Sequence, residues 1–340
     1  MKLIEIETRG DKIIDSKEYK CYNSIYSFYM YKFTNLLKRS FPKMYQKAFL
    51  FNGIGTKAEH LLIKLPPALI DKYHYYADEE FTRLGLNSAL EKNLPFDRKV
   101  AEWIVSLLCD RVVYEYYLSQ GIIPDIGAGY SSGIVSISGC FGAVSHSFAN
   151  DIIMMNRATM ECLSQHNLRL DVGIIIGLDY QIVNELFKNR FSKEELIVGS
   201  ANSIISTMIT GKAEAIDDAI ELCLREGAIK AYRFKTGVAY HHPMMKEYCK
   251  KYTDLCAGGE YRDPDHPIIS IFDNRIMTSG SDIRTENIMN VYTPIRWDLA
   301  ISELENMGVT EFFDVSANGA VKKFTRVNKK KCRIYTLDEL

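Results

Sequence analysis

Two periods of apolar positions alternate along this chain. Residues 97–121, DRKVAEWIVSLLCDRVVYEYYLSQG, space their apolar side chains three and four apart and close on Gly121, which predicts a helix with a C-terminal glycine stop. Residues 47–56, KAFLFNGIGT, open with a short run of strand type ending at Gly53 and Gly55, and residues 57–86 are helical in pattern apart from a break at Pro66-Pro67. Further on, LDVGIIIGL reads as a buried strand and DYQIVNELFKNRF as an amphipathic helix. ELIVGSANS and ISTMITG follow as two strands joined by a turn, KAEAIDDAIELCLREG as a helix and AIKAYRF as a strand. That β-α-β-β-α-β order is the ferredoxin-like unit. Strand-helix-strand rhythm precedes it and resumes after it in HPIISIF and TEFFDVS. The pattern predicts an α/β protein with a ferredoxin-like small subdomain, residues 169–236, inserted between two parts of a large α/β subdomain, 48–168 and 237–340. Residues 1–47, rich in Tyr, Lys and Ser, read as an N-terminal extension packed on the main body.

One segment stands apart. Residues 126–150, IGAGYSSGIVSISGCFGAVSHSFAN, carry no Asp, Glu, Lys or Arg, although charged residues make up 25% of the chain. About 20 apolar residues suffice to span a bilayer, but the Ser and Gly content argues against that reading. A buried strand, a sharp turn carrying a serine and a helix entering the core account for it better.

Composition narrows the classes. With 340 residues, 47% of them hydrophobic, the chain is globular and has ample material for a core. Its net charge of −1 offers no global attraction to nucleic acid or membrane, and the basic run KKFTRVNKKKCR reads as solvated surface. The eight cysteines show no CxxC pair and no cysteine–histidine ligand spacing, so neither a metal site nor a disulfide framework is expected. MKLIEIETRGDK lacks the apolar core of a signal peptide, and a cytoplasmic location is the expectation.

The candidate chemistry lies in the uncharged segment. Gly129-Tyr130-Ser131-Ser132-Gly133 matches G-x-S-x-G, and it follows an apolar run and precedes a helix-compatible stretch, the setting of a strained, exposed nucleophilic serine in an α/β-hydrolase-like sheet. Ser131 is the nucleophile candidate, with glycines flanking it because side chains would collide in so tight a turn. A serine hydroxyl needs a base. His241 and His242, in a loop interrupted by Pro243, are candidates; His146, fifteen residues beyond Ser131, reads as buried along or near the end of a helix.

The ordered set FNGIGT, IPDIGAGYSSG, NRATMECL, ANSIISTMITG, VAYHHPMM, NVYTPIRW and FFDVSANGAVKKFTR resembles the malonyl-CoA:acyl carrier protein transacylases and the related acyltransferases of polyketide synthesis, from about Lys47 to Val327. The resemblance implies that Ser131 takes an acyl group from coenzyme A as an ester and that His241 is its base, oriented by the backbone carbonyl of Asn290. It implies an oxyanion hole of the Ile54 and Ser132 backbone N–H groups. Arg157 matches an arginine that pairs with the free carboxylate of malonyl, and Asn202 a substrate-binding asparagine beside the active site. The implied substrate is malonyl-CoA, the partner an acyl carrier protein, and no cofactor is bound. The chain departs from the family pattern at Tyr130, Ile54 and Ile134 and in the SANG turn, which points to polyketide or related specialised biosynthesis. An acyl hydrolase acting on carrier proteins and a weakly active synthase partner are the alternatives.

Overall fold

A computed structural model describes residues 45–87 and 95–340. The expected extension over residues 1–47 lies outside the described residues except for its last three. Of these, Tyr45 is buried in the core and Lys47 begins the first strand.

Eleven strands are present among the described residues: β1 Lys47–Phe51, β2 Ile126–Gly129, β3 Leu170–Ile176, β4 Leu196–Ser203, β5 Ser206–Lys212, β6 Lys230–Phe234, β7 Ile268–Ile269, β8 Ile276–Met277, β9 Ile295–Arg296, β10 Glu311–Asp314 and β11 Arg333–Tyr335. The larger sheet has the order β11-β10-β1-β2-β7-β8, parallel from β11 to β7, with β8 antiparallel at the edge. A parallel sheet covered on both faces calls for continuous apolar strands. KAFLF supplies one, with Phe49 and Phe51 packing among the residues of helix Pro95–Ser119 while Ala48 and Leu50 meet Trp297 and Phe312 on the other side.

The uncharged segment finds its explanation here. β2 lies in mid-sheet, and all eight residues of the following helix, Gly133–Cys140, are buried. That leaves nowhere for a charge, and no described helix is long and apolar enough to cross a membrane.

The smaller sheet, β6-β3-β5-β4, is antiparallel throughout and has helices Tyr180–Lys188 and Ala213–Arg225 packed on it through Val183, Phe187, Ile216 and Cys223. Its strand order is that of the β-α-β-β-α-β unit read from the sequence. β9 adds a fifth, parallel strand beside β4, pairing Ser200 with Ile295 and Ala201 with Arg296. Pro66-Pro67 separates two helices, Ala58–Leu62 and Pro67–Leu84, the second beginning on Pro67, whose fixed φ suits a first turn. The long helix ends as expected: Gly121 takes φ 74°, and the Ile122 N–H reaches back to the Tyr117 carbonyl at 3.0 Å. The basic run begins inside helix Ala320–Phe324 and ends at edge strand β11.

Candidate active site

Because β1 and β2 are parallel neighbours, the loops leaving their C-terminal ends lie side by side, the usual place for a site in such a sheet. The first loop carries Ile54 and the second Ser131. Ser131 takes φ 54°, a left-handed conformation that few side chains adopt and that is found at functional turns. The flanking glycines are required by contact: a Cβ on Gly129 would lie 2.4 Å from backbone atoms of Gly133 and Ile134, and one on Gly133 would lie 2.5 Å from the Phe51 carbonyl oxygen.

Of the candidate histidines, His241 meets the serine. Its Nε2 is 2.7 Å from Ser131 Oγ, across 110 residues of sequence. Nδ1 faces the Thr293 carbonyl at 3.1 Å. A carbonyl only accepts, so Nδ1 carries the proton and Nε2 is left to accept from the serine hydroxyl. Burial lowers the pKa of His241 to about 4, against a smaller opposing effect of the Thr293 carbonyl. The ring is neutral at pH 7. His242 points elsewhere, its Nδ1 accepting from the Met244 N–H at 3.1 Å, and His146 opens helix His146–Gln165.

The orienting carbonyl is a correction to the sequence reading, which placed it at Asn290. Asn290 ends helix Gly280–Met289, and in the turn that follows the Val291 carbonyl accepts the backbone N–H of His241 at 2.7 Å. Thr293, two residues beyond Val291, supplies the carbonyl that accepts from the ring. Asn290 contributes its side chain instead, buried against the serine pocket with Oδ1 lacking a hydrogen-bond partner.

The two expected oxyanion donors differ in state. The Ser132 N–H makes no hydrogen bond among the described residues, whereas the Ile54 N–H donates to Ser132 Oγ at 2.7 Å. The Ser132 hydroxyl therefore occupies one of the two donors.

Two further expectations are corrected. Arg157 lies outside the pocket, 45% exposed, with its guanidinium held by Asp97 at 2.6 Å and Glu161 at 2.9 Å. The physical reason is helical phase: one residue turns the side chain by about 100°, and the buried face of this helix runs through Ile153, Asn156 and Met160. Asn156 is the residue that enters. Asn202 is buried in β4 with Oδ1 accepting from Tyr130 at 2.8 Å and from Ser200 at 2.6 Å, so it fastens the serine turn to the smaller sheet and does not line the pocket. Tyr130 is held on its other sides by Trp297 and Phe324.

Beyond Ser131 the pocket is lined by Ile153, Asn156, Tyr240, Tyr252, Asn290 and Val291. Sequence reasoning missed Asn156, Tyr240 and Tyr252. A signal for the first was present, since Arg157 and Glu161 form an i,i+4 charge pair of the kind that marks an outer helix face. No group of three or more potential metal ligands occurs among the described residues.

Comparison with known proteins bears on this geometry. No family model matches the chain. It is 26% identical over 293 residues to the malonyl CoA-acyl carrier protein transacylase of Bacillus subtilis, covering 82% of this chain and 90% of that one. With the enzyme of the same name from Escherichia coli it shares 23% over 288 residues, covering 83% and 93%. The solved malonyl CoA-acyl carrier protein transacylase of Coxiella burnetii superimposes with a TM-score of 0.74 at 22% identity, covering 88% of this chain and 95% of that one. A malonyl transacylase solved in complex with its type II polyketide synthase acyl carrier protein gives 0.73 at 20% identity, covering 87% and 96%.

Proposed function

We propose, from the premise that the chain is related in sequence and fold to the malonyl-CoA:acyl carrier protein transacylases, that it moves an acyl group from coenzyme A to the phosphopantetheine thiol of an acyl carrier protein. Malonyl is the group that the relatives' names give. The observation that carries the reading is the 2.7 Å approach of Ser131 Oγ to a neutral His241 Nε2, on a serine held at φ 54°.

Ser131 Oγ attacks the thioester carbonyl carbon as His241 Nε2 takes its proton. The oxyanion so formed faces the Ser132 N–H, with the Ile54 N–H beside it once the Ser132 hydroxyl turns away. The C–S bond then breaks, the coenzyme A thiolate takes the proton from His241, and a serine ester remains. In the second half the carrier's thiol gives its proton to His241 and attacks the ester; the C–O bond breaks and Ser131 Oγ recovers the proton. Thr293 holds the imidazole in the tautomer both halves need, and no carboxylate is required. The departures at Tyr130 and Ile54 support a place in polyketide or related specialised biosynthesis, and the seven unpaired described cysteines fit a cytoplasmic location.

The test is a chase. Enzyme loaded from malonyl-CoA and from acetyl-CoA is freed of thioester and mixed with carrier protein bearing phosphopantetheine. The acyl group is expected on the carrier thiol; release mainly as free acid with the carrier present would replace this reading with that of a hydrolase.

A further inference from the structure

Among the described residues, the pocket beside Ser131 has no cation in its lining. Arg157 is turned outward and paired with Asp97 and Glu161, and the described residues that line the cavity include no Arg or Lys. Neutral hydrogen-bonding groups stand there instead. Asn156, 3% exposed, accepts from the Tyr240 hydroxyl at 3.2 Å through Oδ1 and donates to the Ile153 carbonyl at 3.0 Å through Nδ2, leaving one amide N–H uncommitted. Asn290 Oδ1 is buried in the same lining without a partner, and the Tyr252 hydroxyl lies beside the Asn290 side chain. A buried polar group left unpaired is costly, so one in a substrate pocket points to a ligand that pairs with it.

Resting on the reading of Ser131 as the acylated residue, we infer that the site selects acyl groups by neutral hydrogen bonding at Asn156 and Asn290 and accepts neutral acyl chains at least as readily as carboxylated ones. A carboxylate brought into this pocket loses its hydration without gaining a paired cation, and it faces the acceptor oxygen of Asn290. A neutral acyl group carries no such penalty. Asn156 is the specificity-determining residue, and Arg157 takes no part.

The experiment measures the rate of Ser131 ester formation from acetyl-CoA and from malonyl-CoA, by intact mass, in the wild type, Asn156→Arg and Arg157→Ala. The wild type is expected to form the acetyl ester as fast as the malonyl ester or faster. Asn156→Arg should raise the malonyl-to-acetyl ratio by about tenfold or more, since a guanidinium would then meet the carboxylate in a dry pocket. Arg157→Ala should leave the ratio within about twofold, as an exposed ion pair contributes little. A wild type that loads malonyl at least about tenfold faster than acetyl, or a ratio that collapses in Arg157→Ala, would overturn the inference whether or not Asn156→Arg folds. Absence of ester from both thioesters would remove the acyl-serine reading, and the inference with it.

Discussion

The site depends first on one imidazole kept without charge. Burial lowers His241 to about 4 from 6.5, so its base form is populated far below the pH at which an ordinary histidine protonates. The protonated ring cannot accept the Ser131 proton, and acylation is therefore lost only as pH falls through about 4. Its rate should be flat from about pH 5.5 to 8. A profile with its midpoint near 6.5 would mean that the ring is not desolvated as described. A second expectation concerns Ser132, whose hydroxyl holds the Ile54 N–H. Ser132→Ala frees that donor and leaves the Ser132-position backbone N–H in place, so Ser131 ester should form at the wild-type rate or faster. A fall of about 10²- to 10³-fold, typical of losing an oxyanion donor, would assign the hydroxyl itself that role.

Among the elements, the serine turn works because strand β1, strand β2 and helix Gly133–Cys140 meet with no room between them. Gly133→Ala would set a Cβ 2.5 Å from the Phe51 carbonyl oxygen and 2.8 Å from that of Asn52, and neither belongs to a side chain that can turn away. Denaturant unfolding should show a loss of about 1–3 kcal/mol, with weakened acylation; a wild-type midpoint would contradict the packing. This turn was legible in the sequence because glycine spacing and an uncharged run report tight packing directly. Long elements with a strong period, such as helix Pro95–Ser119 and strands β3 to β6, were legible for the same kind of reason. Strand β7 was legible as part of the apolar run HPIISIF, whereas β8 and β9 were not, since two residues without such a run display no period. Arg157 was misplaced because motif matching tolerates a shift of one residue while a helix does not. Thr293 was missed because a backbone carbonyl leaves no trace in residue identity.

Across the whole molecule, the site is assembled from both sheets. Ser131 comes from the larger one, His241 follows β6 of the smaller one, and β9, two residues past Thr293, is the strand that borders β4. Asn202 and Tyr130 tie the two together. The α/β class was legible, but the meeting of groups 110 residues apart was implied only by resemblance. Stability should carry a mark of His146, which sits half-buried at the start of its helix. Burial holds His146 at about 4, against 6.5 when unfolded, so as pH falls through 6.5 the unfolded chain takes a proton that the native one refuses, and stability declines until about pH 4. His146→Gln removes that slope. Its stability deficit relative to wild type, from chemical denaturation, should shrink between about pH 7 and pH 5; an equal deficit at both would mean that His146 is not held neutral. The central claim, that Ser131 activated by His241 carries the acyl group, is tested most directly by peptide mapping after exposure to acyl-coenzyme A. A single acyl adduct on Ser131 is expected, absent in Ser131→Ala and strongly slowed in His241→Ala. An adduct on Ser132 or a cysteine, or loading undiminished in His241→Ala, would contradict it.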